Sequence, residues 1–336
     1  KRVKIYDGEQ DASDIVKALS SSSNPDTAVL IDILPHLTHD QMLDLRAAYK
    51  RLCKIHGRGI NIAKHLKLKL PTSTHFGKIV YVTALGRWES EAYWANYWYQ
   101  AQTSKRELLI EALFSRQNYE IAAIKDAFRD KRYGDSLTRC AEKELRADKF
   151  RTAVLMVLEG DRQEEEEVWP AEYRERDVDA LARAVGRREG GESEILRICV
   201  GRSDAHLREC LRLYERRYGG NFAREALRKS GNLVGEVVAH ILNGVINRPA
   251  RDAMLLHHAL VDLIENPSVT TSTSSTKHDR QHRHELLISR LVRLHWDRSH
   301  LARVRIEYRD KYGDLLEEDV EEATRGDFGD FCLGVC

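Results

Sequence analysis

Long apolar runs are missing from this chain of 336 residues. No stretch reaches the ~20 apolar residues that a helix needs to cross a bilayer. The longest candidates, such as Ile79 to Leu85, read as short helices or parts of them. No secretory signal is read at the N-terminus. Proline is scarce, at 6 residues, while charged residues reach 32%, which suits a soluble helical protein with few breaks. An excess of one sign is also lacking: 54 basic against 53 acidic residues leave +1. That balance supplies no bulk field for nucleic acid. The basic region from Lys277 to Arg309 contains no nucleic-acid motif, so no such partner is expected. Cys53, Cys140, Cys199, Cys210, Cys332 and Cys336 include no Cys-x-x-Cys pair. Most occupy apolar helical positions, where a thiol acts as a small hydrophobe. Reduced core thiols are therefore expected, not a disulfide framework. There is no phosphate-cradling glycine loop and no Gly-x-Ser-x-Gly elbow. No pattern pairs the carboxylates into a polar cleft, and the chain is read as a non-enzyme.

What is present is repetition. Asp297 to Phe328 reads as two helices joined by a tight glycine turn, with Gly326-Asp327-Phe328 marking the end of the second. Leu301, Val304, Tyr308 and Tyr312 fall on one helical face. Gly313 ends the first helix, because glycine takes the left-handed conformation without steric cost. The i, i+3, i+7 triplet Leu301, Val304, Tyr308 returns as Leu207, Cys210, Tyr214, as Ile121, Ile124, Phe128 and as Met42, Leu45, Tyr49. Asp297, Ser203, Gln117 or Thr38 stands four residues ahead of each triplet. Three of these four have a short side-chain oxygen that can cap a helix. A glycine follows each triplet: Gly313, Gly219, Gly134, and Gly57 or Gly59. Cap, stripe, aromatic and glycine together predict one helical unit copied four times.

These residues resemble the annexin family, with a divergence that suggests its fungal branch. The clearest match is Ile306-Glu307-Tyr308-Arg309-Asp310-Lys311-Tyr312-Gly313-Asp314-Leu315, followed by Ala323-Thr324-Arg325-Gly326-Asp327-Phe328. Asp179-Ala180-Leu181, Gly201-Arg202-Ser203 and Lys229-Ser230-Gly231-Asn232-Leu233 match in the third copy. Ser115-Arg116-Gln117-Asn118 and Arg132-Tyr133-Gly134-Asp135 match in the second, while Tyr6-Asp7 and Asp11-Ala12 lead into the first. The resemblance implies an all-α fold: four annexin-type repeats of five helices each, forming a curved disc. Repeats are expected at residues 6–85, 88–159, 177–247 and 251–336. An acidic linker is expected at 160–176 and a Ser/Thr-rich insertion at 266–280.

Local expectations accompany this layout. Thr38 should cap a helix running through Lys54. Trp94 and Trp98 share a face and should fill packing space. Glu164 to Glu167 should repel one another into a solvated tether. The insertion should be mobile, and His278, His282 and His284 should lie in a flexible polar loop and not in a metal site.

The resemblance also implies a binding chemistry. In annexins, calcium is held by carbonyl oxygens of a glycine-rich loop between the first and second helices. A carboxylate at the end of the fourth helix, about forty residues later, completes the site. Calcium takes 6–8 hard oxygens, and glycines let carbonyls converge. This chain departs from that pattern in every repeat. The first has Ser20 to Asn24 in its loop and Lys67 or Lys69 near the acidic position. The second keeps Glu144, but its loop, Ala101 to Lys105, lacks glycine. The third keeps Gly186, Gly190, Gly191 and Glu189, with Arg228 at the acidic position. The fourth has lost its loop to the insertion, and Ala323, beside Glu322, takes the acidic place. Gly186, Glu189, Gly191 and Glu144 are the residues left that could hold calcium, and high-affinity sites are expected to be absent or nearly so. Lys64, Lys67, Lys69, Arg187, Arg188 and Arg228 are the candidates for direct contact with anionic phospholipid, since a guanidinium fork suits phosphate oxygens. The expected protein is cytoplasmic and peripheral at membranes. The alternative is a helical scaffold for protein partners, independent of calcium.

Overall fold

The computed structural model describes residues 6–20, 25–99, 105–265 and 274–336, with side chains from 280 onward in the last segment. Residues 21–24, 101–104 and 266–273, on which part of three expected loops falls, lie outside it.

Among the described residues the fold is all-α, apart from one two-stranded hairpin, Lys54–Ile55 against Arg58–Gly59. The first five helices are α1 Gly8–Ser20, α2 Thr27–Ile33, α3 His39–Leu52, α4 Ile62–Lys69 and α5 His75–Leu85. The next five are α6 Arg87–Tyr97, α7 Arg106–Leu113, α8 Asn118–Ala127, α9 Leu137–Glu144 and α10 Lys149–Glu159. Then come α11 Ala171–Gly186, α12 Glu192–Gly201, α13 Asp204–Tyr218, α14 Phe222–Lys229 and α15 Leu233–Glu265. The last four are α16 Ser274–His295, α17 Arg298–Tyr312, α18 Leu316–Ala323 and α19 Gly326–Val335. Helix α15 breaks at Asn247 (φ −157°, ψ 98°), just before Pro249. Asn247 then caps the second half by accepting from the N–H of Ala250. With α15 counted as two, the helices make four sets of five.

Residues 1–90 with 252–336 form one compact unit, and 91–251 form the other. In the first, α1 packs on α3, and α5 packs on α4, α16 and α19. In the second, α11 packs on α12 and α13, and α10 on α12.

All twelve residues of the repeated triplets are buried, Leu301 the most exposed among them at 6%. The caps act as the sequence predicts. Thr38, Ser203 and Asp297 accept from the backbone N–H groups of Gln41, His206 and His300. At Gln117 the box runs the other way, with its own N–H donating to Glu120. The triplet aromatic then ties the third helix of its set to the fourth. The Tyr49 hydroxyl meets His65 Nδ1 at 2.7 Å, Tyr214 donates to Glu225 at 2.6 Å, and Tyr308 donates to Asp319. His65, Glu225 and Asp319 are each the fourth residue of an eight-residue helix. The remaining set has Phe128 and therefore no hydroxyl. Its fourth residue, Cys140, lies against Asn96 Oδ1 at 3.8 Å instead.

Several local expectations need correction. Helix α3 stops at Leu52, and Lys54 belongs to the hairpin, whose turn holds Gly57 at φ 76°. Gly326 opens the last helix; the preceding one ends at Ala323. The acidic stretch is not a solvated tether. Gln163 is buried, and the Glu165 carboxylate accepts the N–H groups of Asp204 and Ala205 at the start of α13. A helix N-terminus has free N–H groups and a positive dipole end, so a carboxylate settles there. Residues 171–176 of the expected linker are already helical, and so are 274–280 of the expected insertion. Trp94 and Trp98 are buried, as packing requires. The six cysteines are all unpaired.

His278, His282 and His284 also belong to a helix and not to a loop. His284 is buried and stacks on His75, with ring centroids 3.8 Å apart and planes at 6°. Its Nδ1 meets the Arg280 carbonyl at 2.9 Å, and His75 Nε2 meets Gln281 Oε1 at 2.9 Å. Phe328 packs against both rings. Lys78 and Glu285, paired at 2.6 Å, and Arg280 are the charged neighbours. Burial, then the second ring, hold the His284 imidazolium pKa down to about 4; burial also lowers that of His75. His295, buried and bonded to the Leu37 carbonyl at 2.9 Å, is likewise lowered to about 4 by burial. The unfolded chain takes up these protons near the usual pKa of about 6.5, before the folded chain does. The stabilisation from the neutral rings is therefore complete above that pH and is lost as pH falls to about 4. We expect thermal stability to drop across this window by about 3 kcal/mol for His284. A scan from neutral to pH 4 checks this, and His75→Phe/His284→Phe should flatten the slope.

Candidate functional site

Helices α4, α9, α14 and α18, the fourth of each set and each eight residues long, end in Lys69, Glu144, Lys229 and Ala323. In the third set the end of α14 meets the loop between α11 and α12. The Lys229 ammonium donates to the carbonyl oxygen of Arg187 at 2.5 Å. Gly190 and Gly191 give the loop its shape, both left-handed at φ 75° and 86°. A Cβ on Gly191 would sit 2.3 Å from the Ala184 carbonyl oxygen.

Lys229, and not Arg228, is thus the residue that reaches the loop. Arg228 is exposed, as are Arg187, Arg188 and Glu189. None of these four makes an ion pair among the described residues. Gly186 is the last residue of α11 and is exposed. The sequence reading missed Glu192, the carboxylate beside this loop. It opens α12 and is bonded to Lys149 at 2.5 Å and Asn232 at 3.0 Å. Burial favours its proton, but Lys149, Asn232 and Ser230 together outweigh burial and hold the carboxyl below its usual range. Helix position was the available signal, since an acid in the first turn faces free N–H groups.

The other helix ends differ. Glu144 accepts from the Tyr133 hydroxyl at 2.6 Å, and Tyr133 in turn meets Tyr99 at 2.9 Å. Residues 101–104, the loop it would face, are outside the described residues. Lys67 is exposed with its ammonium 5.4 Å from the centre of the Tyr81 ring, and Lys69 is half-buried at the helix end. Ala323 offers no ligand, and Glu322 beside it is exposed.

Among the described residues one further cluster holds metal-type ligands: Asp177, His206 and Cys210, whose ligand atoms lie within 4.8 Å of one another. Its geometry is that of an ion-pair network. Asp177 binds Arg202 through both oxygens, at 2.6 and 3.1 Å, and His206 at 3.0 Å. Burial opposes the charge on Asp177, but His206 and Arg202 prevail and bring its pKa to about 2. Burial pushes the Cys210 thiol up to about 12. No described helix is long and apolar enough to cross a membrane.

Among the described residues, four sets of five helices, each with a short fourth helix, define an all-α repeat protein. No family model matches the chain. Known relatives do. Annexin C1 of Cryptococcus neoformans var. grubii is 26% identical over 334 residues, covering 98% of this chain and 65% of that protein. Annexin A1 of Cavia cutleri is 25% identical, covering 98% of this chain and 87% of the relative. Among solved structures, annexin III superposes with a TM-score of 0.81 at 22% identity, covering 100% of this chain and 95% of that one. Calcium-bound annexin (Sm)1 superposes with a TM-score of 0.76 at 20% identity, covering 100% and 92%. The chain is thus similar to annexins in sequence over nearly its whole length, and it shares their fold.

Proposed function

We propose that this protein is a peripheral membrane protein that binds anionic phospholipid, with the calcium bridge lost from at least its third set of helices. The observation that carries the reading is the Lys229 ammonium on the Arg187 carbonyl. A neighbour of the same fold is solved with calcium bound. Here a fixed positive charge already occupies a loop carbonyl, and a divalent ion placed beside it would be repelled. Lys69 and Ala323 end the equivalent helices of the first and fourth sets, so neither supplies a carboxylate there. Glu144 remains, and it is committed to Tyr133.

Membrane contact would then be direct. Arg187 and Arg188 on the tethered loop, and Arg228 next to Lys229, are exposed as contact with a lipid phosphate requires. Each cation near an anionic surface contributes about 1 kcal/mol, so three of them bind usefully without an ion bridge. The test is co-sedimentation with phosphatidylserine vesicles, in chelator and in calcium. We expect pelleting in chelator that weakens as salt rises. Absence of pelleting in both conditions would favour a helical scaffold for protein partners. Pelleting in calcium alone would refute the direct-contact reading.

A further inference from the structure

Between Asp44 and Glu89 the chain has ten lysines and arginines and no acidic residue. The whole chain is only +1, so this is a local concentration of positive charge. Arg46, Arg51 and Lys78 of this stretch pair with Glu89, Glu9 and Glu285. Lys64 and Lys67 pair with no carboxylate among the described residues and are exposed on α4. Residues three and four apart on a helix are neighbours, so Lys64, Lys67 and Leu68 share one face. Ile62, Ala63, His65 and Leu66, on the other side, are buried. Leu68 is 73% exposed, one residue from the end of α4 and three ahead of Pro71.

A single exposed leucine is ordinary. This one lies beside the exposed Lys64 and Lys67 near the end of a helix, in a stretch from which acids are absent. An anionic lipid surface satisfies both features at once. Phosphates take the ammonium groups, the lysine stems lie along the headgroups, and the leucine reaches the acyl boundary. An acidic protein would answer the lysines but would also need an apolar pocket for Leu68. We propose that the Lys64–Lys67–Leu68 face docks on anionic lipid with Leu68 inserted and with no divalent cation involved. This inference rests on the membrane reading above and adds to it an apolar anchor on α4.

The experiment measures binding of the full chain to mixed phosphatidylserine–phosphatidylcholine vesicles in chelator. Wild type is compared with Leu68→Gln, Lys64→Gln/Lys67→Gln and Ile306→Gln, the last an isoleucine 52% exposed on α17. Leu68→Gln should weaken binding about tenfold, the size set by burying a leucine side chain. Its loss should persist in high salt, while the deficit of the double lysine variant should shrink there. Ile306→Gln should match wild type, and all variants should melt at the wild-type temperature. If wild type and Leu68→Gln bind equally well, the anchor is refuted and the membrane reading stands. If wild type binds neither in chelator nor in calcium, both fall. Binding in calcium alone also overturns the anchor. Retention on polyglutamate with the same dependence on Leu68, without vesicle binding, would assign the face to an acidic protein and overturn the lipid proposal.

Discussion

The substitution Lys229→Glu should create a calcium-binding event in the third set, where the wild type is expected to show none. The change removes the ammonium that holds the Arg187 carbonyl and puts a carboxylate at the same helix end. Gly190 and Gly191 already bend the loop, so the loop needs no new backbone conformation. Calcium accepts irregular oxygen geometry, whereas magnesium demands a near-ideal octahedron. The gain should therefore be selective for calcium. With few charged ligands, an affinity of about 10⁻⁴ to 10⁻³ M is expected. Titration calorimetry reads it directly, without any membrane. Lys229→Met is the control, since it releases the tether without adding a ligand and should stay silent. If Lys229→Glu is also silent, the lysine is not standing in for an ion, and the reading of the third set is wrong.

Cutting the Lys78–Glu285 pair should have the largest effect on stability. The two side chains are 5% and 1% exposed and 2.6 Å apart. Gln281 adds a bond to the same carboxylate oxygen at 3.2 Å. Lys78→Met leaves Glu285 buried without its ammonium, which costs about 3–5 kcal/mol. For a protein of this size that lowers the melting temperature by on the order of 5–10 °C. Lys78→Met/Glu285→Leu should recover most of the loss, because an apolar pair of similar volume leaves no buried charge. Equal melting temperatures for the single and double variants would show that the pair is not coupled.

Much of the architecture was legible in the residues. Tyr49, Phe128, Tyr214 and Tyr308 close the four triplets, and each is buried as its place in the stripe requires. Thr38, Ser203 and Asp297 cap where a short side-chain oxygen precedes an apolar stripe. These are short-range effects. Burial periodicity and capping depend on residues a few positions apart, so a linear chain displays them.

The site was less legible. Arg228 and Lys229 are adjacent in sequence but about 100° apart around a helix. A reading that counts forty residues forward cannot distinguish them. Only the packed position of α14 decides that Lys229, and not Arg228, faces the loop. The same limit explains the acidic stretch. Four glutamates in a row read as self-repelling, yet Glu165 settles on the N-terminus of α13, about forty residues away. His284 shows it again, because its partner His75 lies more than two hundred residues earlier in the chain.

By itself, then, the sequence determined the helices, their fourfold repetition and the stripes that bury them, because those follow from spacing along the chain. Tertiary structure alone decided which cation meets which carbonyl, which acid caps which helix and which histidines stack. Those pairings join groups distant in sequence, and only the folded backbone sets the distances between them.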